Sequence, residues 1–305
     1  MNKKWLKIIG QVFTVLCLGF IVYKLATLDI DFRMLLDYRV GIAVLICALF
    51  LSSLVFLNSI AYKRILEILS EKSIPRKEII DVYTTSNMGK YLPGNFMHFA
   101  GRNMLGTKYG FGNKQLLLST FFEVGLKIIV AAVFVASLSY GYLIDFINEG
   151  YNDYILIIIG VVILAVVVGA IFSYRKIKNN INKRRLGTNI VTIIAIDAWV
   201  FFINILCFIA LLIVFVGWES IAQNVLIISG IYITAWLVGF LTPGSPGGIG
   251  VKEAALVFLL SGLILEGDIL FISVVLRVCT ILGDVIAFII NKGVNRPKKE
   301  EQISS

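Results

Sequence analysis

Residues 189–216 read NIVTIIAIDAWVFFINILCFIALLIVFV and carry a single charged side chain, Asp197. A hydrocarbon core about 30 Å thick is crossed by about 20 apolar helical residues, so this stretch has the length and polarity of a transmembrane helix. The whole chain has the same character. Of its 305 residues, 58% are apolar and 15% charged, whereas soluble domains carry about 25% charged residues. Mean hydropathy is +0.90. These values exclude a disordered chain. They also exclude a soluble two-domain enzyme, because no polar stretch is long enough to form the surface of a catalytic domain.

Outward from this stretch, six further runs satisfy or approach the same length: Trp5 to Ala26, Val40 to Ile60, Leu116 to Tyr140, Tyr154 to Ser173, Ala222 to Phe240 and Asp268 to Ile290. An eighth, Val251 to Leu265, covers only about 22 Å at 1.5 Å per residue, which predicts a loop dipping into the membrane to meet it. The first run follows Lys3 and Lys4 but is long and lacks a small-x-small cleavage site, so it reads as an uncleaved first helix.

The net charge of +9 is a topology signal rather than a nucleic-acid signal. Twenty-two Lys and Arg fall on one side of the alternating runs, against Lys24, Arg33 and Arg39 on the other. The positive-inside rule then predicts eight crossings with both termini cytoplasmic. The outer loops are acidic, with Asp145, Glu149 and Asp153 in one and Glu266 and Asp268 in another. The fold predicted is an all-α polytopic membrane protein, one integral domain over 1–305. It has two similarly oriented halves, 1–173 and 189–292, joined by a basic cytoplasmic loop, 174–188, and followed by a tail, 293–305.

Two segments fit neither a span nor a solvated loop. Ile79 to Gly112 is interrupted by Gly89, Pro93, Gly94, Gly101, Gly106 and Gly110, yet keeps the apolar Tyr91, Leu92, Phe96, Met97, Phe99 and Met104. Non-helical backbone at membrane depth survives only when buried in protein or lining a polar cavity, so a re-entrant or interfacial hairpin is expected here. The second, Thr242-Pro243-Gly244-Ser245-Pro246-Gly247-Gly248-Ile249-Gly250, occupies the corresponding place in the other half. Paired interruptions in matching positions point to the binding site of a transporter; ordinary loops are the alternative.

Pro246-Gly247-Gly248-Ile249-Gly250-Val251-Lys252-Glu253-Ala254 resembles the signature of the flippase-like transmembrane domain of lysylphosphatidylglycerol synthases, which also occurs in small stand-alone membrane proteins. Gly89-Lys90-Tyr91-Leu92-Pro93-Gly94, followed by Gly101-Arg102, is similar to the first-half motif of the stand-alone and glycosyltransferase-linked branch, and Glu123 sits where that family also tends to carry a Glu. The resemblance covers nearly the whole chain. It implies a bacterial or archaeal cytoplasmic membrane and a lipid substrate. The large cytosolic domain that uses aminoacyl-tRNA in the synthases is not among these residues, so the family label does not carry the synthase activity with it.

Ionisable groups at membrane depth cost at least about 2.5–3.5 kcal/mol on insertion scales and face a cavity or a partner. From the cytoplasmic helix ends, Glu123 and Asp284 lie about 10 Å deep, Asp197 about 12 Å and Lys127 about 16 Å, with Arg277 about 14 Å from the outer side. Glu123 and Lys127 are spaced for a helical ion pair, and Arg277 and Asp284, seven apart, share a face. Two readings follow: pairs that lock helices together, or a polar cavity open toward the cytoplasmic leaflet. Lys90, Arg102 and Lys252 on the breakers, with Arg277 and the backbone of Gly247 and Gly248, form a candidate phosphate-binding set. Glu253 falls in a first helical turn, where it complements the dipole, or it answers Arg277 or a cationic headgroup. Pro93, Gly94, Pro246 and Gly250 shape the breakers.

Cys17, Cys47, Cys207 and Cys279 lie in apolar runs without C-x-x-C spacing and read as small packing residues. His98, the one histidine, reads as a packing residue beside aromatics. No metal cluster, P-loop or Ser-His-Asp set is legible, and no cofactor is expected. The leading expectation is a flippase-like protein that binds and translocates an anionic lipid, a phospholipid or a polyprenyl-phosphate-linked sugar. With no ATP site, the drive must come from a gradient, the membrane potential or the lipid's own concentration difference. Its partners would be membrane lipids, with no direct nucleic-acid contact. The alternatives are a lysyltransferase-family protein working with a separate synthase, and an accessory scaffold for a membrane glycosyltransferase.

Overall fold

The structure, a computed structural model, describes residues 37–70, 75–91, 97–139, 183–242 and 248–294. Those residues are helical, joined by turns, and include no strand. Local chemistry sets where each helix begins and ends. Asp37 accepts a hydrogen bond from the Arg39 N–H at 2.9 Å and so caps α1, Tyr38–Leu69. Pro75, with its fixed φ, leads into α2, Arg76–Asn87. A 3-10 turn, Met88–Tyr91, then leads toward α3, Met97–Lys108.

The side chain of Gln115 reaches back to the Gly112 N–H at 3.2 Å and starts α4, Asn113–Leu138. α5, Lys183–Phe215, ends at Gly217, whose φ of +93° turns the chain into the single-turn α6, Trp218–Ile221. After a 3-10 turn, Ala222–Asn224, comes α7, Val225–Leu241. α8, Val251–Leu260, follows Gly250, and α9, Glu266–Val294, has acids in its first turn and Lys292 in its last, as the helix dipole favours.

Among the described residues, five helices are long and apolar enough to cross a membrane: Tyr38–Leu69, Asn113–Leu138, Leu186–Phe215, Trp218–Leu241, in which α6 runs on into α7, and Glu266–Val294. This is the pattern of a multi-pass membrane protein. Of the eight expected crossings, Trp5 to Ala26 and Tyr154 to Ser173 lie outside the described residues. The short run Val251 to Leu265 is shorter still as a helix. α8 has ten residues, about 15 Å, and closes in a turn in which the Leu263 N–H bonds Leu260 O at 2.8 Å. It does not cross a bilayer by itself.

The first breaker also differs from its expected irregular backbone. It forms two twelve-residue helices, α2 and α3, which pack on each other and on α1, α4 and α9. Glycine makes the hairpin tight, since a Cβ on Gly89 would lie 3.2 Å from the His98 backbone.

The most extensive helix contact is α9 on α1. At its centre a Cβ on Gly283 would come within 2.9 Å of the Ala48 carbonyl oxygen and 3.0 Å of the Ser52 nitrogen, so the two backbones meet with no side chain between them. The largest core cluster, around Phe208, Leu212, Ile231, Leu256, Leu260 and Leu276, joins α5, α7, α8 and α9. Smaller clusters lie near the hairpin, around Tyr62, Tyr83 and Leu116, and between α1 and α5, around Ile65 and Ile193. Facing outward are large apolar side chains such as Phe50, Phe121, Trp199, Phe258 and Ile289, which suit contact with lipid.

Helix direction sorts the ends by charge. Lys292 reaches Asp81 at 2.7 Å and Asn291 donates to the same oxygen at 2.8 Å, which ties the end of α9 to α2. That end of the bundle also holds Lys63, Arg64, Arg76, Lys77, Lys108 and Lys114, while Glu219, Glu266 and Asp268 mark the other.

Candidate functional site

A cavity of about 260 Å³ lies in the basic half of the bundle. The hairpin, α1, α4, α5, α7, the start of α8 and α9 all contribute to its wall. Of the residues singled out in the sequence, Lys90, Arg102, Glu123, Lys127, Asp197, Gly248, Lys252, Arg277 and Asp284 line it. Pro93, Gly94, Pro246 and Gly247 fall outside the described residues.

The first group of charges centres on Glu123 of α4. Arg102 of α3 donates to Oε2 of Glu123, the Lys127 ammonium is 3.0 Å from Oε1, and the Tyr83 hydroxyl donates to Oε1 at 3.2 Å. The spacing of Glu123 and Lys127 thus produces the ion pair it predicts. Arg102 is 1% exposed, and its guanidinium lies 4.0 Å from the Tyr83 ring centroid, 4.6 Å from Tyr62 and 5.5 Å from Phe99. This cage holds the arginine by cation–π attraction as well as by charge.

A second group centres on Asp284 of α9. Lys90 approaches Oδ2 at 2.5 Å, Tyr91 donates to the same oxygen, and Asn87 donates to Oδ1 at 2.9 Å. Sharing a face of α9 does not make Arg277 the partner of Asp284. The carboxylate instead takes its cation from the hairpin.

Arg277 belongs to the third group, with Nη2 3.2 Å from Oε1 of Glu253. The other carboxylate oxygen accepts from the Gly250 N–H at 2.8 Å, so Glu253 performs both roles foreseen for it, closing the first turn of α8 and answering Arg277. Glu253 is buried behind the cavity wall rather than lining it. Lys252, next in the chain, points its ammonium at Tyr232, 4.2 Å from the ring centroid and 3.1 Å from the hydroxyl oxygen. Among the described residues Lys252 has no carboxylate within ion-pair distance, unlike Lys90, Arg102, Lys127 and Arg277.

Glycine brings the start of α8 to the cavity. Gly248 has φ +72°, and a Cβ there would lie 3.2 Å from the Gly239 backbone. Gly239 in turn abuts the Lys252 side chain, where its own Cβ would be 3.1 Å from the Lys252 Cβ. Gly250, at φ +86°, completes the turn.

Asp197 stands apart from all three groups. It is 1% exposed, and neither carboxylate oxygen has a hydrogen-bond partner among the described residues. Sequence reasoning passed over Asn58 and Asn204, which also line the cavity; each donates to its own helix, to Leu54 O and Val200 O at 2.8 Å. Their signal was available, because polar side chains in apolar runs follow the same rule as charges. Tyr83, Asn87, Tyr91 and Tyr232 gave no such signal, since only the fold reveals which carboxylate or ammonium each one meets.

His98 lines the cavity, its ring tilted against that of Phe99 at 3.9 Å between centroids, with Nδ1 buried and without a hydrogen-bond partner among the described residues. The described cysteines, Cys47, Cys207 and Cys279, are free thiols in the largest core cluster, and Cys17 lies outside the described residues. No group suited to hold a metal ion forms among the described residues. Comparison with protein families, with curated proteins and with solved structures returns no match.

Proposed function

We propose that this protein binds an anionic lipid headgroup in the cavity and passes it across the membrane while the acyl or prenyl tails remain in lipid. The lipid class is a phospholipid or a polyprenyl-phosphate-linked sugar. The observation that carries the reading is Lys252, an ammonium on the cavity wall with no carboxylate partner among the described residues, placed on the first turn of α8 near Arg277. A half-buried cation without a counter-charge is costly, and an anionic ligand supplies one.

Residues of both breakers meet at this cavity, as expected where paired interruptions build one transport site. The likeness of both breaker motifs to the flippase-like domain supports the same function. Within this proposal Lys252 and Arg277 receive the phosphate, with Lys90 at the rim. Arg102, enclosed by Glu123 and three rings, braces α3 against α4. Membrane lipids are the partners, and a separate lipid-modifying enzyme or glycosyltransferase would act on the lipid before or after it moves.

The test is transport of fluorescent phosphatidylglycerol and of a short polyprenyl-phosphate sugar by purified protein in liposomes. The expected result is movement of at least one class, lost in Lys252→Met. No movement of either, together with normal binding by Lys252→Met, would overturn the proposal.

A further inference from the structure

Asp197 is the carboxylate of the cavity that no cation or hydrogen-bond donor among the described residues accounts for. Both of its oxygens are buried and receive no hydrogen bond from the described residues. An ionised carboxylate in that setting forfeits its hydration and regains nothing, so the neutral acid is the form that fits. Lys127, the cation whose charge acts on Asp197, gives its hydrogen bond to Glu123.

We propose that Asp197 is a proton-binding site, holding a proton in this state and coupling proton movement to the anion that occupies the cavity. The coupling rests on the headgroup reading above, whereas the proton site itself does not.

Among the carboxylates of the cavity, Asp197 is the one without a cation or hydrogen-bond donor among the described residues. From α4, Glu123 and Lys127 act on it, and they are bonded to each other. The other ionisable groups on the cavity wall are Tyr83, Lys90, His98 and Arg102 of the hairpin, Lys252 of α8, and Arg277 and Asp284 of α9. Glu123 and Asp284 each have a cation and further donors, and Glu253 behind the wall has Arg277 and the Gly250 N–H. α1 and α7 present Asn58 and Trp236 there, neither of which titrates.

Charge balance then links proton and anion. With Asp197 ionised, five cations, Lys90, Arg102, Lys127, Lys252 and Arg277, face four carboxylates, Glu123, Asp197, Asp284 and Glu253, an excess of one positive charge. With Asp197 protonated the excess is two. The proton therefore strengthens anion binding and, by reciprocity, the anion strengthens proton binding. A unit charge across roughly 12 Å at an effective dielectric of about 20 corresponds to about a tenfold change in affinity. Proton and headgroup bind together, so a proton gradient can drive the lipid.

The full-length protein in nanodiscs allows two independent readouts. Infrared difference spectra of wild type against Asp197→Asn, recorded as pH is lowered from neutral, should show a protonated-carboxyl band growing in that the variant lacks. No such band would overturn the proton site whether or not any lipid binds. Binding of dihexanoyl phosphatidylglycerol, followed by calorimetry as pH is lowered, should tighten about tenfold in wild type with proton uptake. Asp197→Asn should keep only the weaker pH dependence set by the remaining groups, Lys252 among them, and Asp197→Glu should restore the full dependence. Equal pH dependence in wild type and Asp197→Asn would overturn the coupling. A complete absence of lipid binding would count against the headgroup reading and against the coupling built on it, while the infrared band still decides the proton site.

Discussion

Lys90 and Asp284, 194 positions apart in the chain, form the ion pair that fastens the hairpin to the last helix, with 2.5 Å between ammonium and carboxylate. Asn87 and Tyr91 complete the acceptor shell of Asp284. Asp284→Ala strips three donors of their acceptor and should destabilise the protein by about 3–5 kcal/mol, as when one partner of a buried pair is lost. Lys90→Met should cost less, because two neutral donors remain on Asp284. Thermal unfolding in detergent compares the two. An equal, small effect would remove the pair as a fastening.

Glu253 offers a way to separate charge from helix capping. Glu253→Gln keeps an acceptor for the Gly250 N–H but removes the carboxylate charge beside Arg277, so anionic lipid should bind more tightly, with a smaller loss of stability than in Glu253→Ala. Glu253→Ala loses both contacts and should cost about 1 kcal/mol for the cap alone. Native mass spectrometry of lipid adducts, with Tm alongside, gives both readouts. Weaker lipid binding by Glu253→Gln would show that the pair, rather than the released arginine, receives the headgroup.

Arg277→Lys keeps the charge but loses the guanidinium fork that matches phosphate oxygens. It should weaken binding of anionic lipid measurably, while Arg102→Lys should instead lower Tm by loosening the cage of rings. Unchanged lipid binding in Arg277→Lys would restrict this arginine to its pairing with Glu253.

Lys252→Met removes an ammonium that has no carboxylate partner, so stability should hold or rise. Loss of a charged hydrogen bond of about 1.5–3 kcal/mol to the phosphate corresponds to a reduction in lipid affinity of more than about tenfold. Lipid binding and thermal unfolding of one preparation test both halves of this expectation.

Gly248→Ala should reduce transport, and Gly248→Val abolish it, with membrane insertion intact. The residue has φ +72° and no room on the side of Gly239. The strain of that conformation alone costs a non-glycine residue about 1–2 kcal/mol. Normal transport by Gly248→Val would place the critical approach elsewhere on α7.

The sequence made the helices legible because apolar runs between charged ends leave few other readings, as for residues 189–216. It also located the charges, because each stands out against hydrocarbon. Their partners were harder to read. The seven-residue spacing of Arg277 and Asp284 describes one helix, but each finds its partner on another element, Glu253 on α8 and Lys90 in the hairpin. The helical form of the first breaker was obscured by its glycines, which serve close packing there, as Gly89 against His98 and Gly106 against Leu116 show.

The contact at Gly283 has a mechanical consequence. Where two helices touch through their backbones, neither can slide or roll on the other without driving atoms together, because no pliable side chain lies between them. α1 and α9 therefore behave as a single stiff strut. Any rearrangement that exposes the cavity first to one face of the membrane and then to the other must swing the remaining helices about that strut.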